Sequence, residues 1–167
     1  KQLEKYCHMN DIFFKNSHDY LLLPVASVKT DAGEIYQKYT PYMRKHRQSK
    51  VEHIDDSKLK NLSKFNDDKL LDFKDIDKFY EFNENLHVNG GRSNAKKKLN
   101  NLKDFKKYDE ERNSLELNTT HLSAYIKFGC VSIREVYWNI IDKLGNKNGE
   151  GLINQLIWRD FYYNNLI

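Results

Sequence analysis

The stretch from Leu152 to Ile167 constrains this chain most, because it reads as a helix with no face made for water. Its apolar spacing predicts a helix that carries no stop signal. At about 100° per residue, Ile153, Ile157 and Phe161 share one face, with Leu156 at its margin. Gln155, Trp158, Arg159 and Tyr162 share the other. That second face carries an amide, an indole, a guanidinium and a phenol where Lys and Glu would be ordinary. Such groups suit stacking on flat rings, hydrogen bonding to base edges and holding phosphates. A helix buried on both sides, with its polar groups satisfied internally, would show the same pattern. Either way it needs neighbours on two sides.

Upstream, the same reading gives a mostly helical chain with a non-helical approach. Tyr20 to Val25 is a short apolar run whose Pro24 favours an edge strand or an extended passage. Asp31-Ala32-Gly33 is a turn signal, and Thr40-Pro41 predicts a cap followed by Pro at the first position of a short basic helix. Residues 47 to 75, rich in Lys, Asp, Asn and Ser, read as a solvated linker with a short helix, and helical character strengthens from Ile76 to Tyr80. After Gly90-Gly91, the spacing of Ala95, Leu99, Leu102 and Phe105 or Lys106 predicts an amphipathic helix with a Lys-rich outer face. Thr119 or Thr120 can cap a helix running to Phe128, with Gly129 as its stop. Ser132 and Glu135 form a capping box that opens an apolar stripe closed by Gly145.

The bulk numbers narrow the class without choosing it. A length of 167 residues suits one domain, and no apolar run approaches membrane-spanning length. A net charge of +4 permits a polyanionic partner without demanding one. Cys7 and Cys130 lack metal-ligand spacing and read as free thiols in a reducing compartment. The polar start at Lys1 is unlike a secretory leader and is not a Met, so an intracellular protein, in cytoplasm or nucleus, and a first residue that is not a translation start are expected.

A second candidate site lies at Asn118-Thr119-Thr120-His121-Leu122-Ser123. Backbone N–H groups and small hydroxyls gathered at a helix start can bind a phosphate or pyrophosphate. Ordinary capping explains the same residues when they are read alone.

Residues 118 to 134, NTTHLSAYIKFGCVSIR, resemble the photolyase/cryptochrome pattern of Thr-Ser-x-Leu-Ser, then Lys-Phe-Gly, then Ser-x-Arg. Residues 155 to 162, QLIWRDFY, are similar to that family's Trp-Arg-Glu/Asp-Phe-Tyr helix. Gly90-Gly91 with Ala95 and Leu99, the loop from Tyr108 to Asn113, and the segment Tyr39-Thr40-Pro41-Tyr42 resemble further family pieces in the right order.

The resemblance implies a mainly α fold: the front of a helical FAD-binding domain, preceded by the tail of an α/β antenna domain. On that basis residues 1–45 correspond to the antenna tail and handover segment, 46–89 to a linker with short helices, and 90–167 to the first portion of the FAD-binding domain. It implies that Tyr108, Thr119, Thr120, His121, Leu122 and Ser123 hold the FAD phosphates and ribityl chain. Leu152 falls where some members place a flavin-contacting Trp, and Arg159 where an Arg lies close to the flavin. Arg112 corresponds to a contact with the damaged strand. Gln155 to Tyr162 correspond to the wall facing a flipped-out pyrimidine dimer, with Trp158 as its stacking surface.

Some residues depart from the family pattern. Gln155 stands where cyclobutane-dimer photolyases usually carry Glu, and in this it resembles the six-four photolyases and animal cryptochromes. His121 stands where Arg is frequent, and Ala124 where Pro is common. The family's remaining flavin-pocket groups and its tryptophan chain fall beyond Ile167. The expected activity, that of a deoxyribodipyrimidine photo-lyase acting on dimer-containing DNA, therefore requires a polypeptide segment completing the FAD domain. A cryptochrome-type photoreceptor, an inactive remnant and a cofactor-free basic helical module that binds nucleic acid are the competing readings.

Overall fold

A computed structural model describes residues 2–15, 18–53, 76, 78–81, 83–114, 116 and 119–166. The chain is mainly helical. Its α-helices are α1 (Gln2–Met9), α2 (Tyr39–His46), α3 (Arg92–Asn100), α4 (Tyr108–Glu111), α5 (Leu122–Lys127), α6 (Ile133–Asn148) and α7 (Glu150–Asn164), with a 3₁₀ turn at Leu102–Phe105. Among the described residues the only β pairing is an isolated antiparallel bridge between Lys29 and Ile35. It closes the expected turn, where Gly33 N–H donates to the Thr30 carbonyl. Among them, no helix is long and apolar enough to cross a membrane.

α7 is the organising element. It packs on α2, α4 and α6, while α3 packs on α5 and α6. Ile153, Ile157 and Phe161 are buried as their spacing predicts, and Leu152 and Leu156 join them. These side chains share one core with Ala95, Leu99, Leu102, Val136 and Ile140, and with Leu22, Leu23, Val28, Tyr42 and Val51 from the first third of the chain. α6 holds the stretch after α2 through Trp138, whose indole stacks on His53 at 3.6 Å and donates to the Glu52 carbonyl.

Several local expectations resolve differently. Tyr20 to Val25 forms no strand. The backbone N–H groups of Leu22 and Leu23 instead donate to the carboxylate of Asp160, and that of Ala26 to Asn164 Oδ1. One turn of α7 thus does the work of a neighbouring strand. α2 begins two residues earlier than expected, with Lys38 as cap and Pro41 in the first turn, where the missing N–H has no helical partner to lose. The helix after Gly91 ends at Asn100, and Leu102 reaches the core from the 3₁₀ turn. The capping box is half formed. Ser132 Oγ accepts from Arg134 N–H, whereas Glu135 turns outward to a bidentate pair with Arg92. At Gly145 the backbone takes φ 71°, a region open to glycine, and this breaks the helical run at the expected stop before one further turn. The linker helix expected between 47 and 75 falls largely on residues outside those described. Beyond it, Phe79 N–H donates to the Ile76 carbonyl.

Candidate functional site

Thr119, Thr120 and His121 lead into α5, which begins at Leu122 and is capped by His121 rather than by either threonine. His121 is the cap residue and sits in the left-handed region, φ 52°, while Thr120 Oγ1 accepts from Leu122 N–H at 3.4 Å. Asn118 lies outside the described residues. Leu122, Tyr125 and Ile126 bury the inner face of α5, and Tyr125 donates its hydroxyl to the Asn89 carbonyl. α5 packs against α3, with Thr120 buried, Thr119 half-buried and Ser123 exposed.

α4 brings in Tyr108. It can lie close against α7 because residue 151 is glycine: a Cβ there would stand 2.2 Å from Asp109 Oδ1. Burial pushes the Tyr108 phenol above its ordinary value, with Arg112 opposing and Asp109 assisting.

These elements enclose a cavity of about 550 Å³. Tyr108, Thr119, Thr120, His121, Leu122, Ser123, Leu152 and Arg159 all line it, together with Gln155 and Tyr162. Its apolar wall is Ile126, Val136, Ile140 and Leu156. The two motifs read separately in the sequence therefore face one space. Two nitrogens of its lining residues, His121 Nε2 and Arg159 Nη2, are buried without a partner. An unpaired buried donor is costly unless something accepts from it.

Arg159 is held by aromatic groups. Its guanidinium lies 4.2 Å from the Tyr20 ring centre and 5.0 Å from that of Tyr163, and its Nη1 donates to the Tyr20 carbonyl. The Tyr20 and Tyr163 hydroxyls are bonded to each other. That bond lowers the Tyr20 phenol and raises Tyr163, with the Arg159 charge favouring ionisation of both. His121 is pulled below the ordinary histidine value by burial first, then by His87 and Lys98.

Two expected residues stand apart. Arg112 is exposed just after α4 and does not line the cavity. Trp158 is turned away from it and stacks on Tyr39 at 3.5 Å between ring centres and 7° between planes, with Tyr162 against it at 5.5 Å and 26°. One indole face is thus covered by the chain itself. Tyr162, 61% exposed, and Tyr163 are the rings that α7 offers to the cavity. Tyr39, Tyr20 and Tyr163 were not among the residues singled out. The motif segment around Thr40-Pro41 was the available signal for Tyr39, and nothing local marked Tyr20. Among the described residues, no group of His, Cys, Asp and Glu is arranged to hold a metal ion.

The chain is 30% identical over 176 aligned positions, covering 97% of its length, to a deoxyribodipyrimidine photo-lyase of Buchnera aphidicola subsp. Baizongia pistaciae (strain Bp). The chain belongs to the photolyase/cryptochrome family. Cryptochrome-1 of Spalax judaei and of Rattus norvegicus are each 38% identical to it over 65 residues, 36% of this chain and 11% of theirs. No family model matches this photolyase/cryptochrome chain, and no solved structure does. It spans 36% of the length of the photo-lyase and about a tenth of the cryptochromes.

Proposed function

We propose that this chain is the part of a light-driven, FAD-dependent deoxyribodipyrimidine photolyase that holds the FAD diphosphate and ribityl chain and forms one wall of the lesion pocket. The observation that carries this reading is the convergence of all eight expected cofactor residues on one cavity, two of them with buried nitrogens lacking a partner. The lining fits such a group: hydroxyls and nitrogen donors suit phosphates and ribityl oxygens, and the aliphatic wall suits a flat ring. FAD, when bound, would supply the light-absorbing, electron-donating chemistry.

The chain's own residues would bind and orient. Thr119, Thr120 and Ser123 offer hydroxyls, and Tyr108 closes the space from α4. Leu152 and Leu156 keep water from one side. Gln155 and Tyr162 would meet the extruded pyrimidines through an amide and a ring face. Arg112, exposed beside the cavity elements, would contact the damaged strand. The groups opposite α7 would come from a further segment, in the same polypeptide or another. Residues 1–45 would then belong to the antenna side and 46–89 to the linker.

A cryptochrome-type photoreceptor is the second reading. It is favoured by Gln155 at the cavity, which cannot donate a proton from a carboxyl as Glu could. Titration of the chain with FAD, followed by flavin fluorescence, should give weak but saturable binding, and no saturation would refute the cofactor assignment. With the completing segment supplied, light-dependent loss of thymine dimers from an oligonucleotide supports the photolyase. Stable flavin binding without dimer loss supports the photoreceptor.

A further inference from the structure

A diphosphate needs positive charge, and the cavity's polar turn lacks one. Thr119, Thr120 and Ser123 are neutral, and His121, held below the ordinary histidine value, is neutral near pH 7. Arg159 lies on α7, outside that turn, with two tyrosine rings and the Tyr20 carbonyl against it and its buried Nη2 left without a partner. A second hollow of about 280 Å³ is lined by His87, Asn94, Lys97, Lys98 and Asn101 among others. A pair of imidazoles links the linings of the two spaces. His121 lines the cavity, His87 lines the hollow, and their rings touch edge to face at 4.5 Å and 89°. The buried, unpartnered Nε2 belongs to the same His121. On α3, Lys98 is half-buried whereas Lys96 and Lys97 are exposed.

We infer that the hollow continues the cavity across the His87–His121 pair, and that Lys98 with His87 binds the diphosphate of a flavin dinucleotide. Lys98 supplies the cation, His87 a hydrogen bond, and the Lys98 stem packs along α3. The inference rests on reading the cavity as an FAD site and adds residues that carry its charge.

The test is titration of the intact chain with FAD, with ADP and with riboflavin at low ionic strength, for the wild type and for Lys98→Gln, His87→Gln and Lys96→Gln. Lys98→Gln should weaken FAD and ADP about three- to tenfold and flatten the salt dependence of both, the size expected of a partly screened charged hydrogen bond. His87→Gln should cost less. Riboflavin, which has no phosphate, should bind all variants alike, and Lys96→Gln should match the wild type. Unchanged FAD and ADP affinity in Lys98→Gln, with riboflavin still bound, overturns this inference and leaves the cofactor reading intact. Equal weakening of riboflavin also overturns it, since the defect would then be structural. A Lys98→Gln effect confined to oligo(dT), titrated in parallel, overturns it in favour of a DNA-backbone contact. Failure of all three ligands to bind the wild type overturns both.

Discussion

The carboxylate of Asp160 lies 3.3 Å from His46 Nε2, and neither side chain is more than 2% exposed. The same carboxylate accepts from the backbone N–H groups of Leu22 and Leu23. Replacing it with Ala would strand three buried donors at once. Asp160→Ala should therefore cost about 3–5 kcal/mol, and Asp160→Asn, which keeps one acceptor oxygen, distinctly less. Urea denaturation of both variants measures the difference. Similar losses in the two would contradict the role given to the buried acceptor.

The stack of Tyr39 on Trp158 gives a second quantity. An aromatic pair contributes about 0.5–1.5 kcal/mol beyond its buried area. A double-mutant cycle with Tyr39→Leu and Trp158→Leu should return a coupling in that range, read from denaturation midpoints. Tyr39→Leu alone should also alter the tryptophan emission, because only Trp138 and Trp158 contribute to it. Additive single-mutant effects would mean the rings do not act together.

Acid should weaken the fold through His121. Its folded value is depressed, so the folded state resists a proton that the unfolded chain takes up near pH 6.5. The contribution is complete above that value and is lost as pH falls below it. His121→Gln should reduce the slope of stability against pH in this window. An identical slope in the variant would exclude His121 as its source.

Alkali acts through Tyr42. Burial first, then the Asp160 charge, raises this phenol above its ordinary 10.0, although the hydrogen bond from Asn164 pulls the other way. A raised group stabilises fully below its unfolded value and loses that contribution as pH climbs past it. Stability should thus decline above pH 10, more gently in Tyr42→Phe, as followed by circular dichroism. A decline of equal steepness in Tyr42→Phe would assign it to other tyrosines.

What the sequence revealed follows the reach of each interaction. The faces of α7, the stripe of α6 and the stop at Gly145 depend on neighbours within a turn or two, and periodicity reads those directly. Convergence of Tyr108, the 119–123 turn and α7 on one cavity was legible only through the resemblance, since spacing carries no distance between elements. Asp160, Asn164 and Tyr39 escaped notice because their partners are more than a hundred residues away. The Tyr20–Val25 run left an edge strand and an extended passage open for the same reason. A strand and a segment tied to a helix side chain have equal need of hydrogen bonds, and only the fold says who supplies them. Trp158 was expected to be free for a base, and its covering ring lies in α2.

The tie between Leu22 and Asp160 closes a span of 138 residues. Closing so long a loop comes before any contact inside it can help, which slows folding relative to a bundle built from neighbouring pairs. On the ribosome, the early segment around Leu22 must wait, its N–H groups solvated, until α7 has emerged. Residues 20–26 should be the last part of this fold to gain protection from hydrogen exchange during refolding and the first to lose it when α7 loosens.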